Sequence, residues 1–373
     1  MSTAPSKLPR WATSPGAGMP GNIEPPEAKK DAGFVNGEEP AAGNFNWLLN
    51  LQYQWLEFLA PRSHQSELQA LSGAQLIDQG IAEDLNAVAG DNNSYEHLGV
   101  LVAAGAGGKI RRRSGTQNAT WTTMASAGGY TGVFRAACYD FIFNAFVVAG
   151  DGMQLQTLTT GSFQARVVEN VNAADTFAQL VSNNSGIIIA VSPLGSNRVA
   201  NSATGTLADW RDNSTHDGVA GGPTRVAFGN GRFVSTQGWT SVDGSSWATH
   251  GSPIAAVRIV YSSYFGFVGI ASSGAGVTVY TSPDGVVWQQ RLASGRLRDP
   301  ANARLVTVGR NVFHWSKGDL GFWWNTDDSL TAFVWVPWNA AAFLNGACIW
   351  SNRAIYAVGD GGRIYAGPPL AGY

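Results

Sequence analysis

From about Asp84 to the C-terminus, short apolar runs rich in β-branched and aromatic residues return at a regular interval. The runs GVLVAAG, AFVVAG, GIIIAVS, GRFVSTQ, GFVGIAS, NVFHWS and AIYAVG centre on Leu101, Phe146, Ile188, Phe233, Phe267, Val312 and Ile355. Neighbouring centres lie 34 to 45 residues apart. Each is preceded by a second short run: LNAVAG, FRAACY, TFAQLV, TRVAFG, VRIVYS, ARLVTV and GACIW. A turn and a third strand follow each centre. Aromatic residues then mark a fourth strand, at Trp121, Phe163, Trp210, Trp247, Trp288 and Trp335. Runs of this length, bounded by Gly, Asn and Asp, read as β-strands.

A unit of four short strands repeated about every 40 to 45 residues is the signature of radially stacked sheets. The expectation is therefore a mainly β chain, with a seven-bladed β-propeller over residues 84–373. Seven first, second and third strands are visible but only six fourth strands. The ring should borrow its missing strand from upstream, between Arg62 and Glu83, because an unpaired edge is a liability. The terminal AGPPLAGY, with Pro368 and Pro369, cannot supply a ladder strand.

Upstream the pattern changes. Pro5, Pro9, Pro15, Pro20, Pro25, Pro26 and Pro40 fall among Gly and Ala, which reads as an extended Pro/Gly-rich arm without a core. One aromatic α-helix is expected from Asn44, a candidate N-cap, to Ala60, ahead of Pro61. Phe45, Leu48, Leu49, Gln52, Trp55, Leu56 and Leu59 keep helical spacing, with Trp47, Leu51 and Phe58 on a second face. A helix apolar around most of its girth must be covered, by the propeller or by a partner. The chain thus divides into residues 1–60 (arm and helix), 61–83 (a linker with the closing strand) and 84–373.

Composition narrows the function. The net charge is -2, so no global basic field collects nucleic acid. No apolar run approaches the ~18 residues of a membrane span, and the N-terminus lacks a secretory h-region. Cys138 and Cys348 take matching first-strand positions in different blades, so two free buried thiols are expected. The five histidines show no metal spacing, no cofactor motif is found, and GAGGKI at 105–110 reads as a hairpin turn. Arg111, Arg112 and Arg113 read as a solvated strand.

Two hairpins, Ser241-Val-Asp243-Gly244-Ser-Ser-Trp247 and Ser282-Pro-Asp284-Gly285-Val-Val-Trp288, share S-x-D-G-x-x-W, with a degenerate copy at Asn325-Thr-Asp327-Asp328. Here the chain resembles the Asp-box propellers, which include sialidase-like proteins. The resemblance implies an Asp that accepts turn N–H groups between third and fourth strands, a Gly at positive φ and a Trp wedged between sheets. It also raises a glycosidase reading, for which no Tyr–Glu pair or family arginine motif can be assigned; no catalytic residue is expected. Arg135, Arg225, Arg258 and Arg304 open first strands and could line one channel mouth for a carboxylated sugar or phosphate. Alternatively, each ties neighbouring loops together. Among the blade-six aromatics, adjacent Trp323 and Trp324 must point to opposite faces, one in the core and one open to a glycan.

The opening carries a second resemblance. LPRWAT, then IEPPEAKKDAGFVNGEEPAAGNFNWLLNLQYQWLEFL, is similar to the N-terminal segment of bacteriophage tail fibre and other virion structural proteins. The resemblance spans about 60 residues and implies that this segment attaches a distal module to the tail. Trp11, Phe34, Phe45, Trp47, Leu48, Leu51, Trp55 and Phe58 would make the attachment. It implies a non-enzymatic virion protein, made in the host cytoplasm, bound to other tail proteins and self-associated, as in fibre trimers. The propeller would bind a host-surface glycan or a tail subunit. A sialidase-like enzyme and a purely architectural tail protein are the alternatives.

Overall fold

The computed structural model describes residues 75–367 apart from 92–98, 116–119, 160, 167, 170–175, 193–198, 203–209, 213–224, 250–253, 274–275, 294, 301–302, 309, 318, 339–343 and 350–354. The arm, the helix, their eight attachment residues and the linker up to residue 74 lie outside the described residues. Every described residue belongs to one compact unit, Ala70–Ala371.

The described strands form seven sheets. Sheet 1 is Leu85–Gly90, Val100–Gly105, Ile110–Ser114 and Thr122–Met124, paired in that order. Sheet 2 is Phe134–Asp140, Ala145–Gly150, Leu155–Leu158 and Gln164–Arg166. Sheet 3 runs Gln179–Ser182, Ile188–Val191, Val199–Asn201 and Trp210–Asp212, with Val168–Glu169 added in parallel at its outer edge. Sheet 4 is Val226–Gly229, Arg232–Ser235, Trp239–Ser241 and Ala248–Thr249. Sheet 5 is Arg258–Ser262, Gly266–Ser273, Gly276–Ser282 and Gln289–Ala293. Sheet 6 is Ala303–Val308, Asn311–Ser316, Gly321–Asn325 and Phe333–Pro337. Sheet 7 has Leu344–Ile349, Ile355–Gly359 and Ile364–Ala366. Its outer strand is Gln75–Asp78, antiparallel to Ile364–Ala366 with Gln75 opposite Ala366.

The seven first strands neighbour one another in a closed cycle, each sheet extending outward from it. This is a β-propeller. Gln75–Asp78 falls inside the upstream window and covers the edge left open by the repeats. Ile77 packs in the core between sheets 7 and 1, and Asp78 pairs with Arg111 of sheet 1.

Aromatic residues at the start of the fourth strands fill the spaces between sheets. Trp121 packs toward sheet 7, Phe163 toward sheet 1 and Trp210 toward sheet 2. Trp247 packs toward sheet 3 and Trp288 toward sheet 4. In sheet 6 the residue in this role is Phe333, not Trp335 as the spacing suggested. The two lie two apart on one strand and so share a face, and Phe333 stands at the strand start where the other anchors stand. Between sheets 6 and 7 the wedge is Trp338, buried against Phe322 and Tyr365.

The two S-x-D-G-x-x-W turns join third to fourth strands in sheets 4 and 5. Asp243 Oδ1 accepts the N–H groups of Ser245 and Ser246, both at 2.8 Å, and Gly244 N–H donates to Ser241 Oγ. Asp284 repeats this with Val286 and Val287, and Gly285 with Ser282. Gly244 and Gly285 sit at φ 73° and 78°, which Gly adopts without strain. A Cβ at Gly285 would also strike Val234 of sheet 4. Asp327, in the matching turn of sheet 6, accepts N–H groups of Thr331 and Ala332.

The basic triplet is not a solvated strand. Arg111 and Arg113 are 5% and 0% exposed, facing sheet 7, while Arg112 is half-buried on the opposite face. Arg113 lies over the rings of Trp121 and Tyr356, at 5.6 and 5.0 Å. The aromatic faces stabilise a guanidinium that the alternation alone would leave in solvent or in an apolar wall. Cys138 and Cys348 are free thiols opposite Val147 and Tyr356 in sheets 2 and 7. Burial pushes both up, Cys348 to about 12.

Candidate functional site

Near the start of each first strand stands one polar side chain: Asn86, Arg135, Gln179, Arg225, Arg258, Arg304 and Asn345; all but Arg225 and Asn345 line one central recess. In sheets 7, 1 and 2 the strand bulges at this point, between Leu344 and Gly346, Leu85 and Ala87, and Phe134 and Ala136. A bulge re-aims one side chain without ending the strand.

Several of these residues reach to the next sheet. Asn345 Nδ2 donates to Leu85 O of sheet 1 at 3.1 Å and to Asp360 at 2.8 Å. Asn86 Nδ2 donates to Phe134 O of sheet 2 at 3.3 Å. Gln179 brackets Val226 of sheet 4, donating to its O at 2.7 Å and accepting from its N–H at 3.2 Å. Arg304 Nε donates to Asn345 O of sheet 7 at 2.8 Å. Such bonds satisfy strand-end carbonyls that a ladder leaves open.

Among the described residues the other arginines make no such link. Arg135 turns to Asp151 of its own sheet, 2.6 Å away, and is largely exposed. Arg258 donates weakly to its own neighbour, Val257 O, at 3.3 Å. Among the described residues no carboxylate pairs with Arg225 or Arg258. Burial and repulsion by Arg304 and Arg225 hold Arg258 well below the usual guanidinium range. Arg304 falls to about 10, from burial and then repulsion by Arg225, partly offset by Asp299. Arg225 is lowered by burial. Of the four arginines expected at one mouth, the structure brings Arg225, Arg258 and Arg304 within electrostatic reach of one another and gives Arg135 a local partner.

A cavity of about 190 Å³ lies here, walled by Asn86, Arg135, Gln179, Arg258, Arg304 and Trp315 among others. The Trp315 indole N–H is buried without a partner. Like-charged donors gathered in a recess stabilise an anion, which relieves their repulsion and accepts their N–H groups. The volume suits one phosphate- or carboxylate-sized group, below the ~300 Å³ at which small-molecule sites begin. The described walls hold no carboxylate or phenol, and no described cluster of His, Cys, Asp and Glu could hold a metal.

Trp324 is 0% exposed, stacked 6.2 Å from Phe313 with its N–H on Asn311. It is a core residue, so its place among the candidate ligand residues is corrected. Trp323 faces the other way, half-buried on a surface groove. Asn86, Gln179, Asn345 and Trp315 were missed by sequence reasoning. The first three share the first-strand position of the arginines, which was the available signal.

No protein family and no curated protein matches the chain. Solved structures match its fold. The chain is similar to the WD40 β-propeller domain of Doa1, at 12% identity and TM-score 0.52, over 79% of this chain and 96% of that one. YCF48 bound to D1 peptide matches at 11% identity and TM-score 0.57, over 79% and 96%. YCF48 from Cyanidioschyzon merolae matches at 12% and 0.53, over 80% and 99%. At such identities the likeness is one of fold: the protein is of the β-propeller class.

Proposed function

We propose that this chain is a bacteriophage virion structural protein, a tail fibre or tail-attached component. Its first 60 residues anchor it to other tail proteins. Its seven sheets act as a seven-bladed head, with Asp-box-type turns in sheets 4 and 5, whose channel mouth recognises an anionic group on the host surface or on a tail subunit. The observation that carries the virion reading is the N-terminal pattern: LPRWAT, the E-P-x-x-x-K-K-D-x-G-F run, and N-F-N-W-L at the head of the aromatic run that the spacing predicts to be helical. The arm and the helix that the sequence predicts, the latter apolar around most of its girth, would be covered by the surface of a tail partner. The ligand reading is supported by the mutual repulsion of Arg225, Arg258 and Arg304. A rigid frame with variable loops suits recognition.

Particle assembly tests the anchor. Deleting residues 1–60 should exclude the protein from particles while the propeller still folds; unchanged incorporation would refute the anchor. Thermal unfolding in sulfate, phosphate and acetate, at constant ionic strength, tests the channel. A specific anion shift absent from Arg258→Met is expected, and no shift with any anion leaves an architectural tail protein.

A further inference from the structure

We propose that a groove on sheet 6, separate from the channel, is a saccharide-binding site for a sugar carrying one carboxylate. Its floor is an aromatic corner. Trp323 and Trp335 are direct cross-strand partners, with ring centroids 5.5 Å apart at 61°. Both are half-buried. Phe333 fills the space between sheets 5 and 6, so Trp335 contributes an indole face to the groove instead of a wedge to the core. The volume is about 520 Å³, within the range of small-molecule sites and well above that of the channel recess.

Charge lines the same groove. Arg296 and Arg298, from the connection between sheets 5 and 6, are exposed and lie on its wall. Among the described residues neither makes an ion pair. Asp319, between the second and third strands of sheet 6, completes the wall; its Oδ2 accepts Ser316 N–H at 2.8 Å, which leaves Oδ1 for a ligand hydroxyl. Two guanidiniums and one carboxylate leave a net charge of +1.

These groups select a ligand class. Indole faces pack against the C–H faces of a pyranose, while a carboxylate bonds bidentately to a guanidinium. Two rings set at 61° make a corner, which fits a puckered ring and cannot sandwich a planar base. Asp319 repels a dianion, so one carboxylate is favoured over a phosphate ester. The chemistry is that of a uronic-acid-containing glycan.

Calorimetry on the full chain at low salt tests this with tri-galacturonate, tri-mannuronate and a hyaluronan tetrasaccharide, against neutral maltotriose. At least one charged oligosaccharide should bind about tenfold more tightly than maltotriose, the equivalent of ~1.4 kcal/mol for one charge-assisted contact. Trp335→Ala should weaken it about tenfold, one lost stacking face. The exposed pair Arg296→Gln/Arg298→Gln should erase the preference for charge and reports even if the tryptophan variant fails to fold. Lys109→Gln, at a partly exposed cation of sheet 1 outside both the groove and the channel, should leave binding unchanged. Failure of all three charged sugars to bind, or binding undiminished in both groove variants, overturns the proposal. Binding lost in Arg258→Met alone moves the sugar to the channel and also overturns it, without touching the anchor.

Discussion

The inner strands of sheets 7, 1 and 2 and those of sheets 4, 5 and 6 present polar side chains at the same place, with opposite consequences. On the first side the residues are Asn345, Asn86 and Arg135, the strands bulge, and each side chain donates to a nearby carbonyl or carboxylate. On the second side the strands run without a bulge and carry Arg225, Arg258 and Arg304. There Arg304 has the Asn345 carbonyl and the charge of Asp299, while among the described residues no carboxylate pairs with Arg225 or Arg258. A neutral amide at a strand end ties two sheets together at little desolvation cost. A guanidinium in the same recess must find an anion or tolerate repulsion. The first side therefore serves the ring, as Arg304 does on the second, and the proposed anion site rests on Arg225 and Arg258.

The largest test of that contrast is Asn345→Leu. It removes bonds to Leu85 O and Asp360, leaves both unsatisfied in a buried seam, and should cost about 2–3 kcal/mol in urea unfolding. A loss under 0.5 kcal/mol would remove the structural role from the amide side.

Acid should load the cationic side next. His314 of sheet 6 is fully buried, with neither ring nitrogen bonded, and burial holds it down to about 3. The unfolded imidazole titrates near 6.5, so below that pH the unfolded state binds the extra proton. Stability is complete above about 6.5 and falls by about 1.4 kcal/mol per pH unit beneath it. His314→Phe should flatten this slope between pH 6.5 and 5. Hydrogen exchange at pH 5 should show sheet 6 opening before sheet 1, and uniform loosening would contradict the contrast.

Arg258→Met should have the opposite sign to Asn345→Leu. Relief of repulsion and desolvation should stabilise the ligand-free protein by about 1 kcal/mol. Destabilisation instead would mean that Arg258 is a structural tie like Arg304. The smallest effect is expected at the thiols. Burial raises both, so Cys138 and Cys348 should resist alkylation at pH 8 and react together on unfolding. Fast labelling of Cys348 alone would show the seam of sheets 7 and 1 to be looser than its contacts imply.

Much of this was readable in one dimension. The second-strand centres fall in the second strands of all seven sheets, because a strand packed between neighbouring sheets is buried on both faces and reads as a continuous apolar run, and a sheet repeats its own length. The missing fourth strand announced an upstream partner, since an open edge must be covered. Other features were not readable. Phe333 and Trp335 share a strand face, and only packing against sheet 5 decides which becomes core. Arg111 and Arg113 alternate like surface residues, yet Asp78 and the rings of Trp121 and Tyr356 draw them inward from distant parts of the chain.

The sequence by itself determined the repeat, the strand order within each sheet, the turn chemistry of Asp243 and Asp284 and the presence of arginines at first-strand starts. These are local properties, set by side-chain period and turn conformation. Only the tertiary structure decided which arginines come within electrostatic reach of one another and which side chains tie one sheet to the next. It also decided that Trp335 borders a groove while Trp324 is sealed in the core. Those outcomes depend on residues brought together when a ring closes, where desolvation and charge act between sheets and leave no period in the chain.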